Sequence, residues 1–257
     1  MPRTRIQPIY LYAGSVNKFG KNLDTDANSS TETDIVRQDG LQYWPGAAVA
    51  AASIDLWSSS AEDDVSKPPA GTGAHSTWLD GLDGDGAQNL EEVANDGAAD
   101  TQPVGDKWRI FRAFVGDVGT GGTNAGNLTI DDGTNVLAYI AAGESQTQAA
   151  AYTVPAGDRL GRAYKEARLH QMTVSLAGTV SATMDFALWI RENASVGVST
   201  TAWKQIQFMS IGNGVTHDRT FPIPLAIPIL TDMRISAVDA SVANLVASAT
   251  FTLELVY

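Results

Sequence analysis

The chain contains no cysteine, only three histidines and no apolar run long enough to cross a bilayer. The missing cysteine excludes a disulfide framework, thiolate metal ligands and a cysteine nucleophile. The most apolar stretch, residues 47–57, is interrupted by Ser53 and Asp55 and falls well short of the roughly 20 residues that a spanning helix needs. The N-terminus lacks the apolar core of a secretory signal. We therefore expect a soluble product that is made in a cytoplasm and does not enter a membrane.

Basic residues are scarce, since 17 Lys and Arg stand against 29 Asp and Glu and give a formal charge of −12. Nucleic-acid phosphates would repel such a surface, so we expect no nucleic-acid partner. Residues 1–23 nevertheless contain four basic residues and no acidic one, which makes this segment +4 and the remainder −16. Two interpretations remain open: an arm that lies on an acidic neighbour, or an ordinary first strand.

Helical periodicity is nearly absent as well, and residues 161–168 offer at most a turn or two of helix. Alternation of apolar and polar residues recurs instead, as a strand with one buried face requires. Residues 107–115 predict a strand buried on both faces, and residues 251–257 predict a closing strand. The clearest alternation, in residues 183–192, places Met184, Phe186, Leu188 and Ile190 on one face and Trp189 on the other. A further alternation places His170 on an apolar face with Met172, Val174 and Leu176.

Turn signals separate these runs, among them Asp83–Gly86, Pro155–Gly157 and Gly212–Gly214. Strands at this spacing predict an all-β chain of the antiparallel β-sandwich or jelly-roll type, with an extended N-terminal arm. We expect an arm and linker over residues 1–46, a β-rich domain over 47–155 and a β-sandwich domain over 156–257. The last two could also form one domain.

Two glycine-rich or acidic segments resemble ligand loops in part. Residues 116–126 lack the Gly-Lys-Ser/Thr ending of a phosphate-binding loop and indicate an interstrand loop. In residues 81–92, four positions fit a calcium loop (Asp83, Asp85, Gly86 and Glu92), but the first ligand position holds Gly81. An acidic hairpin explains the same residues, so we expect no metal and no cofactor.

Catalytic constellations are equally incomplete. His75, His170 and His217 lack the spacing of metal ligands, and no serine-hydrolase motif occurs. The acidic pairs 91–92 and 131–132 keep a glycan-degrading enzyme open as the least favoured alternative, although acidic residues in or near turns are usually solvated. We therefore expect no enzyme. An exposed Trp189 would favour a carbohydrate or partner contact, whereas burial beneath a neighbouring loop is the alternative.

The run GTGAHSTWLDGLDGDG over residues 71–86, followed by Glu91-Glu92-Val93, resembles a segment that recurs in virion structural proteins of tailed phages. Trp78, Asp80 and the sequence Asn95-Asp96-Gly97 depart from the family pattern, which puts the local loop structure in question. The likeness extends over roughly residues 47–257 through these further segments: 48–58, 109–115, 121–126, 140–157 and the proline-rich, Thr-Asp-Met-Arg-Ile and terminal strands at the C-terminus.

This resemblance implies a β-rich virion protein that is assembled in the host cytoplasm and forms a homotrimer or another homo-oligomer. We expect a capsid decoration or cement protein that binds and stabilises the head, with the major capsid protein or other virion proteins as partners. A tail, baseplate or receptor-binding fibre protein is the alternative. The basic N-terminal segment supplies the hypothetical partner contacts, which are Arg3, Arg5, Ile6, Ile9, Tyr10 and Tyr12.

Overall fold

The computed structural model describes residues 15–25, 32–35, 51–66, 71–98, 102–178, 181–199, 202–242 and 245–257. The regular elements in these residues are β-strands, and no described residue belongs to a helix, so the predicted all-β class is confirmed. None of these residues forms a helix that could cross a membrane. The described residues fall into two compact units, one within 39–147 and one formed by 11–38 together with 148–257.

The first unit contains two antiparallel sheets with the strand orders β6-β3-β8-β9 and β5-β4-β7. Its strands are β3 (Ala52–Ser58), β4 (Ser76–Leu82), β5 (Gln88–Ala94), β6 (Gln102–Lys107), β7 (Arg109–Val115), β8 (Leu128–Asp131) and β9 (Val136–Ile140). Alternate residues of β3 point inward, so Ile54 and Leu56 are buried. They pack in one apolar core with residues of the other strands, including Leu79, Val93, Ile110, Val115, Leu128, Ile130 and Ile140.

The second unit is a β-sandwich built around two further antiparallel sheets. One sheet has the order β1 (Ser15–Thr25), β17 (Leu245–Val256), β11 (Glu166–Ala177), β15 (Thr216–Pro228). In the other, β16 (Thr231–Ala240) pairs with β12 (Thr183–Ser195); β10 (Ala151–Thr153) and β2 (Thr33–Asp34) pair with β16, while β13 (Val198–Ser199) and β14 (Lys204–Gly212) pair with β12. The predicted inward residues Met184, Phe186, Leu188, Phe251 and Leu253 are all buried. The jelly-roll variant stays a prediction.

One local prediction, the orientation of His170, is wrong. The strand β11 changes its pairing register between Leu169 and Gln171, and this bulge turns His170 away from the core. His170 is half-exposed and lies 3.1 Å from Glu254, whereas Met172 and Val174 are fully buried as expected. Residues 161–168 contain no helical turn, because a loop over 157–165 leads directly into β11.

The N-terminal part of the chain is divided differently from the predicted arm and linker. Residues Ser15–Thr25 form β1 and pair with β17, and Thr33–Asp34 pair with β16, so both segments belong to sheets of the second unit. The boundary between the two units lies between Thr147 and Gln148, whereas the sequence places it after residue 155. The hypothetical contact residues Arg3, Arg5, Ile6, Ile9, Tyr10 and Tyr12 lie outside the described residues.

Candidate functional site

The negative charge of the chain is concentrated in the first unit. Its described residues carry fifteen acidic and three basic side chains, a net of −12, whereas those of the second unit carry eleven acidic and ten basic ones, a net of −1. Of the three cations, Lys107 and Arg109 are buried, which leaves Arg112 as the exposed cation among the described residues of this unit. Its surface is therefore almost uniformly anionic.

The outer face of the sheet β6-β3-β8-β9 combines carboxylates with an indole. We call Asp55, Trp57, Asp106 and Asp131 the Trp57 face. Asp55 lies directly opposite Asp131 in the register of β3 and β8, a placement of like charges that costs stability. Trp57 is 38% exposed, and its Nε1 donates a 2.7 Å hydrogen bond to Asp131 Oδ2. The face thus offers a hydrogen-bonded indole next to Asp131, with Asp55 two residues along β3 and Asp106 further along, opposite Ser53.

The second unit carries a contrasting feature in residues 157–165, which we call the basic loop. Asp158 organises it from inside: its Oδ1 accepts hydrogen bonds of 2.9 Å from the backbone N–H groups of Leu160 and Arg162. Its Oδ2 accepts hydrogen bonds from Arg162 Nε at 2.6 Å and from the Tyr257 hydroxyl at 3.1 Å. The Arg162 guanidinium also lies 4.6 Å from the centre of the Tyr257 ring. These bonds fix the loop at both ends of its turn.

The titration of Asp158 reflects these donors. Partial desolvation acts to raise the pKa of its carboxyl, but the hydrogen bonds from Arg162, Leu160 and Tyr257 together outweigh it and lower the pKa to about 2. Burial and the hydrogen bond with Tyr257 raise the pKa of Tyr164, so its phenol stays neutral. The loop consequently keeps its internal bonds across the physiological pH range.

The tip of the basic loop is apolar and its flanks are cationic. Leu160 at the tip is 80% exposed. Residues 157–168 contain four basic and two acidic residues, and the basic ones are all exposed: Arg159, Arg162, Lys165 and Arg168. An exposed leucine on a fixed turn and surrounded by cations is a feature suited to contact with an acidic partner.

A buried polar network lies on the outer face of the sheet that contains β12 and β16. Arg191 and Asp232 are almost fully buried and form an ion pair of 2.6 Å. Asp232 also accepts hydrogen bonds from Thr153 Oγ1 at 2.6 Å and from Asn193 Nδ2 at 3.1 Å. Trp203 stands against the guanidinium of Arg191, with 4.7 Å from its ring centre to the cation. The network links β10, β12 and β16 and has a structural role.

The short strand β2 pairs with β16 in this same sheet. Arg234 Nη1 donates to Asp34 at 2.8 Å and Nη2 donates to Glu32 at 3.1 Å, and Glu32 accepts a short hydrogen bond from Ser236. Desolvation raises the pKa of Asp34 although Arg234 acts to lower it. Trp189 is half-buried here and donates its Nε1 to Ser236 at 2.8 Å. Of the two interpretations of Trp189, burial therefore agrees better with the structure than an exposed contact surface does.

In the first unit, Asp63 is fully buried and binds three loops together. Its carboxylate accepts hydrogen bonds from Ser58 Oγ at 2.6 Å and from the backbone N–H groups of Ala74 at 2.6 Å, Ala125 at 2.7 Å and Gly126 at 2.8 Å. The glycine-rich segments are packed around it, since a Cβ on Gly73 would lie 2.0 Å from Asp63 Oδ1. Residues 116–126 are therefore an interstrand loop, as predicted.

The acidic residues with a partial resemblance to metal ligands or catalytic pairs have structural partners. Asp83 Oδ1 accepts from the N–H groups of Asp85 and Ala87 in the β4–β5 hairpin, as the hairpin interpretation predicts. Glu91 and Glu92 are consecutive in β5: Glu91 binds Lys107 at 2.7 Å, and the carboxylate of Glu92 accepts from Ser76 Oγ at 2.8 Å. Consecutive strand residues face opposite ways, so this pair does not converge on one substrate.

Asp131, Asp132 and His75 likewise bind different partners. Asp131 accepts from Trp57, while Asp132 accepts from the N–H groups of Thr134 and Asn135 in the β8–β9 turn. His75 lies 2.7 Å from the carbonyl oxygen of Gly71 in the first unit. Among the described residues, no group of three or more His, Asp or Glu side chains has the arrangement of a metal site.

Comparison with known proteins gives only distant likenesses. No family model matches the chain, and neither does any curated protein. A structure of the infectious bursal disease virus Gx strain aligns with 93% of this chain and 71% of its own chain, at 12% identity and a TM-score of 0.27. The VP2 subviral particle of that virus aligns with 95% and 72%, at 11% identity and a TM-score of 0.27. The PBSX exported protein XepA aligns with 92% and 86%, at 10% identity and a TM-score of 0.19. These scores are too low to establish a common fold.

Proposed function

We propose that this chain is a structural component of a bacteriophage particle and acts there as a capsid decoration or cement protein. The observation that carries the proposal is the division of surface chemistry between its two units. One unit presents an anionic surface, and the other presents a fixed basic loop with an exposed leucine. Such surfaces serve binding between proteins, and the likeness of residues 47–257 to virion proteins of tailed phages supports the same role.

The internal construction also fits a protein that must persist on a particle without disulfides or cofactors. Buried carboxylates hold its elements together: Asp63 fixes loops of the first unit, and Asp232 links the strands β10, β12 and β16 of the second. Buried charge-assisted hydrogen bonds of this kind are short and strong, and they hold loops in one arrangement. We propose that the chain acts by binding in the virion and catalyses no reaction.

A tail or receptor-binding role is the second candidate, and Trp57 favours it. Its partly exposed indole has an apolar face, and the carboxylates next to it are hydrogen-bond acceptors, so together they suit contact with a sugar ring. Trp189, the residue that first suggested glycan contact, is half-buried and bonded to Ser236. The second candidate therefore depends on the Trp57 face.

The proposal is tested by mixing the purified chain with separated phage heads and tails that lack it, followed by gradient sedimentation. The decoration role predicts co-sedimentation with heads and a higher temperature of head disruption. Binding to tails or to host glycans, abolished by Trp57→Ala, would support the second candidate instead. Absence of binding to heads, tails and glycans would contradict both.

A further inference from the structure

We infer that the basic loop docks onto the Trp57 face of a second copy of this chain, an inference that rests on the proposed assembly function. The partner surface is thus a defined part of the acidic unit. Contact of this kind joins the basic loop and the adjoining first residues of β11, up to Arg168, of one copy to Asp55, Trp57, Asp106 and Asp131 of the next.

The basic loop already has a fixed conformation in the free chain. Asp158 accepts four hydrogen bonds within the loop and from Tyr257, and it remains ionised because its pKa is about 2. Leu160 is therefore held in solvent at 80% exposure by a turn that has already lost its conformational freedom. A fixed apolar side chain loses little further entropy on binding, which makes it an effective anchor.

The Trp57 face matches this anchor in both polarity and charge. The exposed indole offers apolar area for Leu160 and an aromatic face for a guanidinium. Asp55 and Asp131 repel each other across the β3–β8 ladder, so a cation from a partner relieves a strain already present in the free chain. The two surfaces carry opposite net charges, +2 over residues 157–168 and three carboxylates on the Trp57 face.

The symmetry of the contact follows from its two different halves. Because one copy contributes the loop and the other the Trp57 face, the interface is heterologous and runs head to tail. Such contacts generate closed rings when the rotation between copies closes, as a trimer would require. The attraction is between charges near the surface, so it weakens as salt rises.

The experiment measures self-association of the full chain by sedimentation equilibrium at low and high salt. We expect Leu160→Asp and Arg159→Glu each to weaken association at least tenfold. Lys204→Glu is the matched control, since Lys204 is an exposed cation of the second unit outside the loop, and it should leave association unchanged. Asp55→Arg should weaken association alone and restore it when combined with Arg159→Glu. Circular dichroism and thermal melting confirm that each variant is folded.

The outcomes separate this inference from the proposed function. A wild-type chain that stays monomeric, or a Leu160→Asp variant that associates like wild type, would overturn the inference even if heads still bind the chain. Loss of head binding by Leu160→Asp with unchanged self-association would also overturn it and assign the loop to the capsid shell. Self-association that depends on Leu160 and Asp55, in a chain that binds no phage part, would leave the inference standing and remove the proposed function.

Discussion

Replacing Asp63 tests whether one buried carboxylate holds the loops of the first unit. In Asp63→Ala, the backbone N–H groups of Ala74, Ala125 and Gly126 lose their acceptor, while the Ser58 hydroxyl can rotate to another partner. A buried donor without a partner costs about 1–3 kcal/mol, so three would cost about 3–9 kcal/mol. Water entering the space of the carboxylate offsets part of this, and we expect a loss of about 4 kcal/mol.

The Asp63→Asn variant refines the test because it keeps one carbonyl oxygen. That oxygen can still accept from Ala74 and Ala125, and the new amide group can donate to Ser58, but it meets the N–H of Gly126 donor to donor. We expect a loss of about 2 kcal/mol, roughly half of that of the alanine variant. Asp85→Ala, at the exposed tip of the β4–β5 hairpin, should change stability by less than about 0.5 kcal/mol.

Urea unfolding followed by tryptophan fluorescence gives these free energies of unfolding, and hydrogen exchange of peptides covering residues 71–74 and 124–126 assigns the loss to the loops around Asp63. The amides of Ala74 and Gly126 should lose protection first in the variants. A loss under about 1 kcal/mol for Asp63→Ala, or an asparagine variant less stable than the alanine one, would refute the reasoning.

Three further predictions concern other positions. Arg191→Met should destabilise the second unit by about 3–5 kcal/mol because it removes the cation that neutralises the buried Asp232 carboxylate, and Arg191→Met combined with Asp232→Leu should recover part of the loss in thermal melting. Gly73→Ala should prevent folding of the first unit, whereas Gly84→Ala should be tolerated because its Cβ would lie 3.7 Å from its nearest neighbour; soluble yield and circular dichroism compare them. Asp158 has a pKa lowered from 3.8, so its stabilising bonds are fully present above that pH and are lost as the pH falls towards 2; the amide resonances of the loop should shift only in that window.

Alternation along the chain was sufficient to predict the strand class and much of the core. The inward residues Met184, Phe186 and Leu188 of β12 and the inward residues of β17 are where the period of two places them, although Ile190 is only half-buried. In Arg109–Val115 a register shift interrupts the period, so Ile110, Ala113 and Val115 share one core while Arg112 is exposed. The period fails at His170, because a bulge inserts one residue and reverses the faces that follow. The sequence does mark this bulge, because two consecutive polar residues, His170 and Gln171, stand between the buried Leu169 and Met172.

Buried charges were the main features that sequence could not predict. Arg191 lies at a position that alternation assigns to solvent, yet it is buried because Asp232, 41 residues away, and Trp203 cover it. Asp63 takes its partners from loops up to 63 residues distant. The charge of the first unit could have been found by counting residues 51–147 separately, since the contrast with the second unit is present in the sequence itself.

The central claim, that this chain is a structural part of a phage particle, is tested most directly by counting its copies in purified particles with quantitative mass spectrometry against isotope-labelled peptides. A decoration or cement role predicts that the number of its copies per particle stands in a fixed ratio to the number of major capsid protein copies and is of comparable magnitude. Absence of the chain from purified particles would contradict the claim.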